Sequence, residues 1–232
     1  MNLFKRVLKD LTGLLFPDLC CGCGAYLYQG ETQLCTNCIY KLPYTDHHLH
    51  LENSAARQLW GRLPCNAVMS LFYFKKGARA QNVIHNLKYK GRRHLGTKLG
   101  SMIAERLLIS PAYAEIDLII PVPLHPSRER ERGYNQSLCI AKGISAAMHI
   151  PVNSVSLLRK KATGSQTKKS RYNRFENMQL VFSIADPAAH QDRHILLVDD
   201  VITTGATLEA CGIALFAAGI KKLSIATAAF AE

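Results

Sequence analysis

The sequence predicts an α/β protein built on a parallel sheet, preceded by a small cysteine-rich module. Three observations lead there. Short apolar runs recur along the chain and are separated by segments of helical periodicity, the alternation that produces strand–helix–strand units. Near the C-terminus one such unit is almost complete: Ile195 to Val198 reads as a buried strand, Leu208 to Ala218 as a helix and Leu223 to Thr227 as the next strand, with Gly219 where a helix stops in a left-handed turn. Ahead of all this, five of the eight cysteines crowd into residues 17–43.

The C-terminal unit is the part with the clearest chemistry. Its first strand ends in two acids, Asp199 and Asp200, and the helix is entered through Thr203-Thr204-Gly205-Ala206-Thr207. A helix N-terminus offers free N–H groups and the positive end of the helix dipole, which together favour an anion. Small residues let a phosphate approach, and three threonine hydroxyls can add hydrogen bonds. No lysine follows the glycine as a Walker A loop would need, and no G-x-G-x-x-G is present, so triphosphate and dinucleotide sites both lose ground. Adjacent carboxylates at the carboxyl end of a parallel strand stand where ligands bind in open α/β sheets. Beside a monophosphate cradle they suit the hydroxyls of a ribose 5-phosphate and a Mg²⁺ ion.

The ten residues Val198 to Thr207 resemble the phosphoribosyl pyrophosphate (PRPP) motif of type I phosphoribosyltransferases, hydrophobic positions included. That resemblance implies a type I phosphoribosyltransferase-like sheet. It assigns the 5-phosphate of PRPP to Thr203, Thr204, Gly205, Ala206 and Thr207, and catalytic roles to Asp199 and Asp200.

Length and charge bound the rest. A chain of 232 residues can hold one α/β domain of roughly 150 to 180 residues plus a small appendage. Lys and Arg number 29 against 17 acids, a formal charge of +12 with a pI near 9.4, which favours polyanionic partners, nucleic acid first among them. The charge is clustered: residues 75–98 hold eight Lys/Arg and no acid, and residues 159–174 hold seven and no acid. Such runs also serve as solvated faces, and PRPP phosphates could use some of them. No apolar run reaches 18 residues, so no transmembrane segment is expected, and the chain is expected in the cytoplasm. Leucines and other apolar residues at 3, 4, 7, 8, 11, 14 and 15 describe one face of an amphipathic helix, which either packs on the body of the protein or docks on a membrane surface or partner.

The cysteines come in two pairs, Cys20-x-x-Cys23 and Cys35-x-x-Cys38, with eleven residues between them. In a reducing cytosol disulfides are disfavoured, and two such knuckles can converge on one tetrahedral ion. Structural Zn²⁺ is the natural occupant; an iron–sulfur cluster on the same four thiolates is the alternative. Cys21 is spare and could compete with Cys20 in a slipped register. His47, His48 and His50 follow too closely on one another to complete the site and are read as surface residues.

After Pro43 the pattern gives a linker or short helix at Ala55 to Trp60, a strand at Val68 to Phe74, and helical periodicity through Val83, Ile84 and Leu87 and again from Leu95 to Leu107. Between those helices lies Lys88-Tyr89-Lys90-Gly91-Arg92-Arg93. Lys88, Arg92 and Arg93 could hold phosphates while Tyr89 stacks on a base, or the turn could be a solvated helix end. Ile116 to Val122 reads as another buried strand, running into a proline-set loop with Pro123, Leu124, His125 and Arg128. In a parallel sheet this loop falls on the same edge as the acid pair, where with Lys88 it could meet pyrophosphate. His125 is either a base or a hydrogen-bonding loop residue. Arg130 to Ser137 then leads into a helix ending about Met148. Strands near Val152 to Leu158 and Gln179 to Ile184 bracket a long basic loop of a length typical of lids, in which Lys160, Lys168 and Lys169 could hold nucleic-acid phosphates and Arg171 the pyrophosphate.

A second resemblance narrows the family. The Cys-x-x-Cys pairs, Ile84 to Gly91, Pro121 to Pro126, Arg130 to Gln136, Thr163/Gln166/Arg171/Asn173 and the PRPP motif occur in this order in ComF-family (ComFC- or GntX-like) proteins. It implies a role in natural competence, acting on or beside single-stranded DNA entering the cytoplasm, with a competence helicase or other DNA-processing protein as a possible partner. The expected organisation is an amphipathic helix and zinc module over residues 1–50 and a phosphoribosyltransferase-like domain over 51–232. Three functions remain in play: a PRPP-using transferase in DNA uptake, a PRPP- or nucleotide-binding regulator without turnover, and a salvage enzyme unrelated to DNA.

Overall fold

The computed structural model describes residues 17–75, 77–159 and 181–231. The expected N-terminal amphipathic helix, and the loop residues Lys160, Lys168, Lys169 and Arg171, lie outside them. The elements run α1 (Thr36–Lys41), α2 (Ser54–Arg57), β1 (Ala67–Phe74), α3 (Arg79–Tyr89), α4 (Arg93–Leu107), β2 (Leu118–Pro121), α5 (Pro126–Arg132), α6 (Gln136–Met148), β3 (Leu157–Arg159), β4 (Phe182–Ile184), β5 (His194–Ile202), α7 (Ala206–Ala217) and β6 (Lys222–Ala231). The main sheet has the order β1-β6-β5-β2, with every pair parallel.

Both faces of this sheet are covered, as an all-parallel sheet requires. Alternate residues of the strands go to opposite sides. Met69, Ile119, Leu196, Val198 and Ala226 meet α3, α4 and α6, whereas Val68, Ile120, Leu197 and Ile225 meet α2 and α7. Tight packing on the first face depends on two glycines: a Cβ at Gly100 would stand 2.1 Å from the Ile140 carbonyl oxygen, and one at Gly143 would stand 2.2 Å from that of Thr97. α4 and α6 therefore touch backbone to backbone, which a side chain at either position would prevent. The cysteine segment shares this first core, where Cys20, Leu34, Cys38 and Leu42 are buried with the apolar faces of α3 and β1. It is joined to the sheet edge through Thr45 N to the Leu71 carbonyl (3.1 Å) and Tyr73 N to the Pro43 carbonyl (2.8 Å).

Several elements differ from the sequence expectation, each for a local reason. The stretch expected as a proline-set loop and a lead-in holds a short helix of its own, α5, which Gly133 closes in the left-handed conformation (φ 74°); the helix expected to end about Met148 is α6, capped by the Asn135 side chain accepting from the N–H groups of Ser137 and Leu138. The strand expected over Val152 to Leu158 shrinks to β3. Asn153 Oδ1 accepts from Val155 and Ser156 N–H at 3.0 Å each, a side-chain turn that competes with strand pairing, and Val152 keeps one isolated bridge to Ile119. β3 pairs antiparallel with β4 as a separate small sheet. β6 runs on past Thr227 because Ala228 and Ala229 are fully buried in the middle of the sheet, where burial outweighs weak strand propensity.

His47 is not a surface residue. It is 2% exposed, packs edge-on against Tyr73 and Phe230 (centroids at 5.6 and 5.9 Å), and its Nε2 lies 3.2 Å from Ser54 Oγ. Burial lowers its pKa to about 4, so it is held neutral. Spacing suggested three similar histidines; the chain's return across the edge of β1 buries the first, half-buries His48 and leaves His50 exposed.

Candidate functional site

The acid pair sits at the carboxyl end of β5, between β6 and β2, and the register aligns Pro121 with Val198 and Asp199 with Thr227. The proline-set loop after β2 therefore reaches the edge on which the acids stand, as parallel pairing requires. Asp199 and Asp200 line a cavity of about 290 Å³. Thr203 and Thr207 line one part of it, and Pro123, Leu124 and four cations, Lys88, Arg128, Arg132 and Arg159, are among the residues lining the rest. A smaller recess is formed by residues 201–208 with Asp199.

The two acids are not equivalent. Asp199 Oδ1 accepts from the Ser137 hydroxyl and from Asp200 N–H, both at 2.8 Å. Burial, and then the neighbouring Asp200 carboxylate, raise its pKa to about 7 against the opposing effect of these hydrogen bonds and of Lys88. Asp200 Oδ1 pairs with Lys88 Nζ at 3.1 Å. One acid is thus part-protonated near neutrality and fixed by hydrogen bonds; the other is paired with a cation.

The loop after β5 turns through Gly205, which has φ 74° and forms the N-cap position of α7. That conformation favours glycine. A Cβ here would also come within 2.7 Å of Leu59 Cδ2, so the glycine admits packing from the α2 side as well as the left-handed turn. Thr204 Oγ1 accepts from Ala206 N–H at 3.4 Å.

The remaining expected residues are distributed around this centre. His125 does not line the cavity: it caps α5, its Nδ1 accepting from Ser127 N–H at 3.2 Å. Tyr89 is 56% exposed with the Arg132 guanidinium 5.3 Å from its ring centre. Arg93 lies over Tyr134 and donates to the Gly133 carbonyl, while Arg92 lines a groove beside the cysteines. Lys88 alone of the basic turn enters the cavity. Sequence reasoning did not single out Ser137, Arg132 or Arg159 as cavity residues. In the sequence each stands among other polar and basic residues, and only the meeting of α5, α6 and β3 at one sheet edge distinguishes the three from their neighbours.

The Sγ atoms of Cys20, Cys23, Cys35 and Cys38 all lie within 4.8 Å of one another, and Cys23 and Cys35 approach to 3.7 Å. A tetrahedral ion with metal–sulfur bonds of about 2.3 Å has sulfur–sulfur edges of about 3.8 Å, so the set fits such an ion. Cys20 belongs to the cluster and Cys21 does not; the Cys21 thiol faces Gln33 Oε1 instead, at 3.8 Å. Burial raises the Cys20 pKa, but the N–H groups of Cys35, Cys23 and Gly22 prevail and bring it to about 7. A Cβ at Gly22 would stand 2.9 Å from Cys38 Sγ, so the knuckle has room only for glycine. These N–H···S contacts and the close turn are features of a thiolate cage.

A parallel sheet carrying an acid pair and a Thr/Gly loop at its carboxyl edge defines a phosphoribosyltransferase-type domain, and residues 135–232 match the family described as phosphoribosyl transferase domain. The DNA utilization protein YhgH of Escherichia coli O157:H7 is 33% identical over 129 residues, 54% of this chain and 56% of that protein. Competence protein F of Haemophilus influenzae is 36% identical over 110 residues (47% and 48%), and competence protein ComFC of Bacillus subtilis is 34% identical over 91 (39% and 35%). The matched region spans about half the length of the first of these relatives. These matches make the chain similar to competence proteins of the ComF type and give it a phosphoribosyl transferase domain. Among the described residues no helix is long and apolar enough to cross a membrane.

The raised pKa of Asp199 has a consequence for stability. Its folded value of about 7 lies above the ordinary 3.8, so the folded state binds the proton more tightly, and stability falls as pH rises from about 4 through 7. Asp199→Asn removes this titration. The stability of the variant relative to the parent, from urea melts, should therefore increase by roughly 2 to 3 kcal/mol between pH 5 and pH 8; a difference independent of pH would show that Asp199 titrates normally.

Proposed function

We propose that this chain is a cytoplasmic ComF-type competence protein that binds PRPP with Mg²⁺ and handles single-stranded DNA during natural transformation. The observation that carries the PRPP reading is one cavity in which an acid pair and a phosphate loop face four cations, Lys88, Arg128, Arg132 and Arg159. Thr203 to Thr207 would take the 5-phosphate, Asp199 and Asp200 the ribose hydroxyls, and the cations the pyrophosphate. Asp200 is also suited to hold Mg²⁺, which would neutralise pyrophosphate charge when bound. A ribose hydroxyl replacing Lys88 Nζ on Asp200 frees that ammonium for the departing pyrophosphate. If transfer occurs, the donors that meet the leaving group act on charge that grows as the glycosidic bond breaks. Residues 1–50 are assigned to a Zn²⁺-holding structural module and 51–232 to the phosphoribosyltransferase-like domain.

The DNA reading rests on the +12 charge, the acid-free run at 75–98 and an exposed Tyr89 within it. It is also supported by the names of the competence and DNA-utilization relatives.

Three measurements test this. Four closed thiolates leave no open position for catalysis, so purified protein should carry about one zinc per chain and lose it in Cys35→Ser/Cys38→Ser; iron with sulfide in elemental analysis would replace zinc by a cluster. PRPP with Mg²⁺ at about one hundred times its Kd should stabilise the fold by about 2.7 kcal/mol, roughly 5 to 10 °C in Tm, and Asp200→Asn should remove most of that shift. An equal shift in the variant would place PRPP elsewhere, and pyrophosphate release by the parent separates transfer from binding alone. Single-stranded DNA should bind with affinity falling steeply in salt. Removing one phosphate-binding cation, as in Arg92→Ala, should lower the log–log slope by about 0.7. Equal binding of duplex and single strand, unchanged in Tyr89→Ala, would reduce the interaction to charge attraction.

A further inference from the structure

We propose that Arg62 and Gln58, which line neither the main cavity nor the recess at residues 201–208, are positioning residues that orient the phosphate loop; the inference rests on the PRPP reading above. Gln58 Nε2 donates to the Thr203 carbonyl at 3.1 Å, and Arg62 Nη1 donates to the Thr204 carbonyl at 2.9 Å. Two consecutive carbonyls of the loop are thus held from the segment that follows α2. A trans peptide is planar, with the C=O of one residue antiparallel to the N–H of the next. Holding the Thr203 and Thr204 carbonyls toward this segment turns the amides of Thr204 and Gly205 to the opposite side, away from it. Those are the amides a phosphate in the recess would use.

The clamp is itself held. Arg62 Nε donates to Glu209 Oε2 at 2.9 Å, and Nη2 reaches the same oxygen. Glu209 lies in the first turn of α7 and is 3% exposed, and its N–H donates to the Gly205 carbonyl at 2.9 Å. Leu59, between the two donors in sequence, occupies the space a Cβ on Gly205 would need. Arg62 therefore does two things for the loop. It fixes a peptide plane, and it neutralises a buried carboxylate beside the helix N-terminus that would otherwise repel an arriving phosphate. A single guanidinium can serve both because its donors fan out in one plane; an ammonium cannot span the carbonyl and the carboxylate with the same geometry.

The test uses the full chain, with ribose 5-phosphate and Mg²⁺–pyrophosphate titrated separately by calorimetry. Arg62→Ala alone strands the buried Glu209 carboxylate and could fail to fold, so the informative variants are Arg62→Ala/Glu209→Gln, which removes the clamp without leaving a charge, and Gln58→Ala. The double variant should bind ribose 5-phosphate roughly tenfold more weakly, Gln58→Ala roughly threefold, and Arg62→Lys should fall between parent and double variant, the losses expected from one or two displaced hydrogen bonds. Pyrophosphate affinity should stay within about twofold of the parent in all of them, since only the 5-phosphate end depends on the loop. Unchanged ribose 5-phosphate affinity in both the double variant and Gln58→Ala overturns the inference. So does an equal loss of both ligands that follows a lowered Tm, which is what a merely structural role would give. A parent that binds pyrophosphate but not ribose 5-phosphate overturns the phosphate-site reading itself, and the inference with it.

Discussion

The parallel pairing of β5 with β2 and β6 is the constraint on which the site depends. Because the strands run in the same direction, the loops that follow β2 and β5 emerge at one edge, and the register that sets Pro121 opposite Val198 brings the prolines of one loop beside the acids of the other. An antiparallel or slipped neighbour would send those loops to different ends or faces of the sheet. The apolar interior of β5, buried from His194 to Val198, holds this register through packing on both faces, and the carboxylates come only at its end, where the strand opens into the cavity.

The acidic side chains in and beside the cavity are each held by a partner from another element. Asp200 is engaged by Lys88, Asp199 by Ser137, and Glu209 by Arg62. Charged groups that are partly removed from water need such partners, and here the partners come from α3, from α6 and from the segment after α2.

α3 connects the two chemically distinct parts of the molecule. On one side Asn82 and Asn86 donate to the carbonyls of Gly22 and Cys21 in the first cysteine knuckle, at 2.9 and 3.0 Å; at its end Lys88 reaches Asp200. The same helix is fixed by Tyr134, whose hydroxyl donates to the Leu87 carbonyl. The thiolate cage and the acid pair thus lean on a common helix, and the cysteine segment is packed into the core with that helix.

By itself the sequence determined the features that depend on neighbours in the chain. Continuous apolar runs marked β1, β2 and β5, periodicity marked α3, α4 and α7, and the order Asp199 to Thr207 carried the acid pair and the Thr/Gly loop, because each is a local pattern with a local physical cause. The four-cysteine set was legible for the same reason, since two tight knuckles need only short spacings. The tertiary structure decided what depends on residues distant in sequence. Whether Cys20 or Cys21 faces the other three thiols, whether His47 is wet or buried, and which of many arginines enters the cavity all turn on how separate segments meet. Arg62 is the clearest case: in sequence it is one cation in an ordinary linker, and its role appears only when a residue 142 positions away, Thr204, presents its carbonyl to it. Side-chain chemistry is written in the chain, but the partner that gives a charge its function is supplied by the fold.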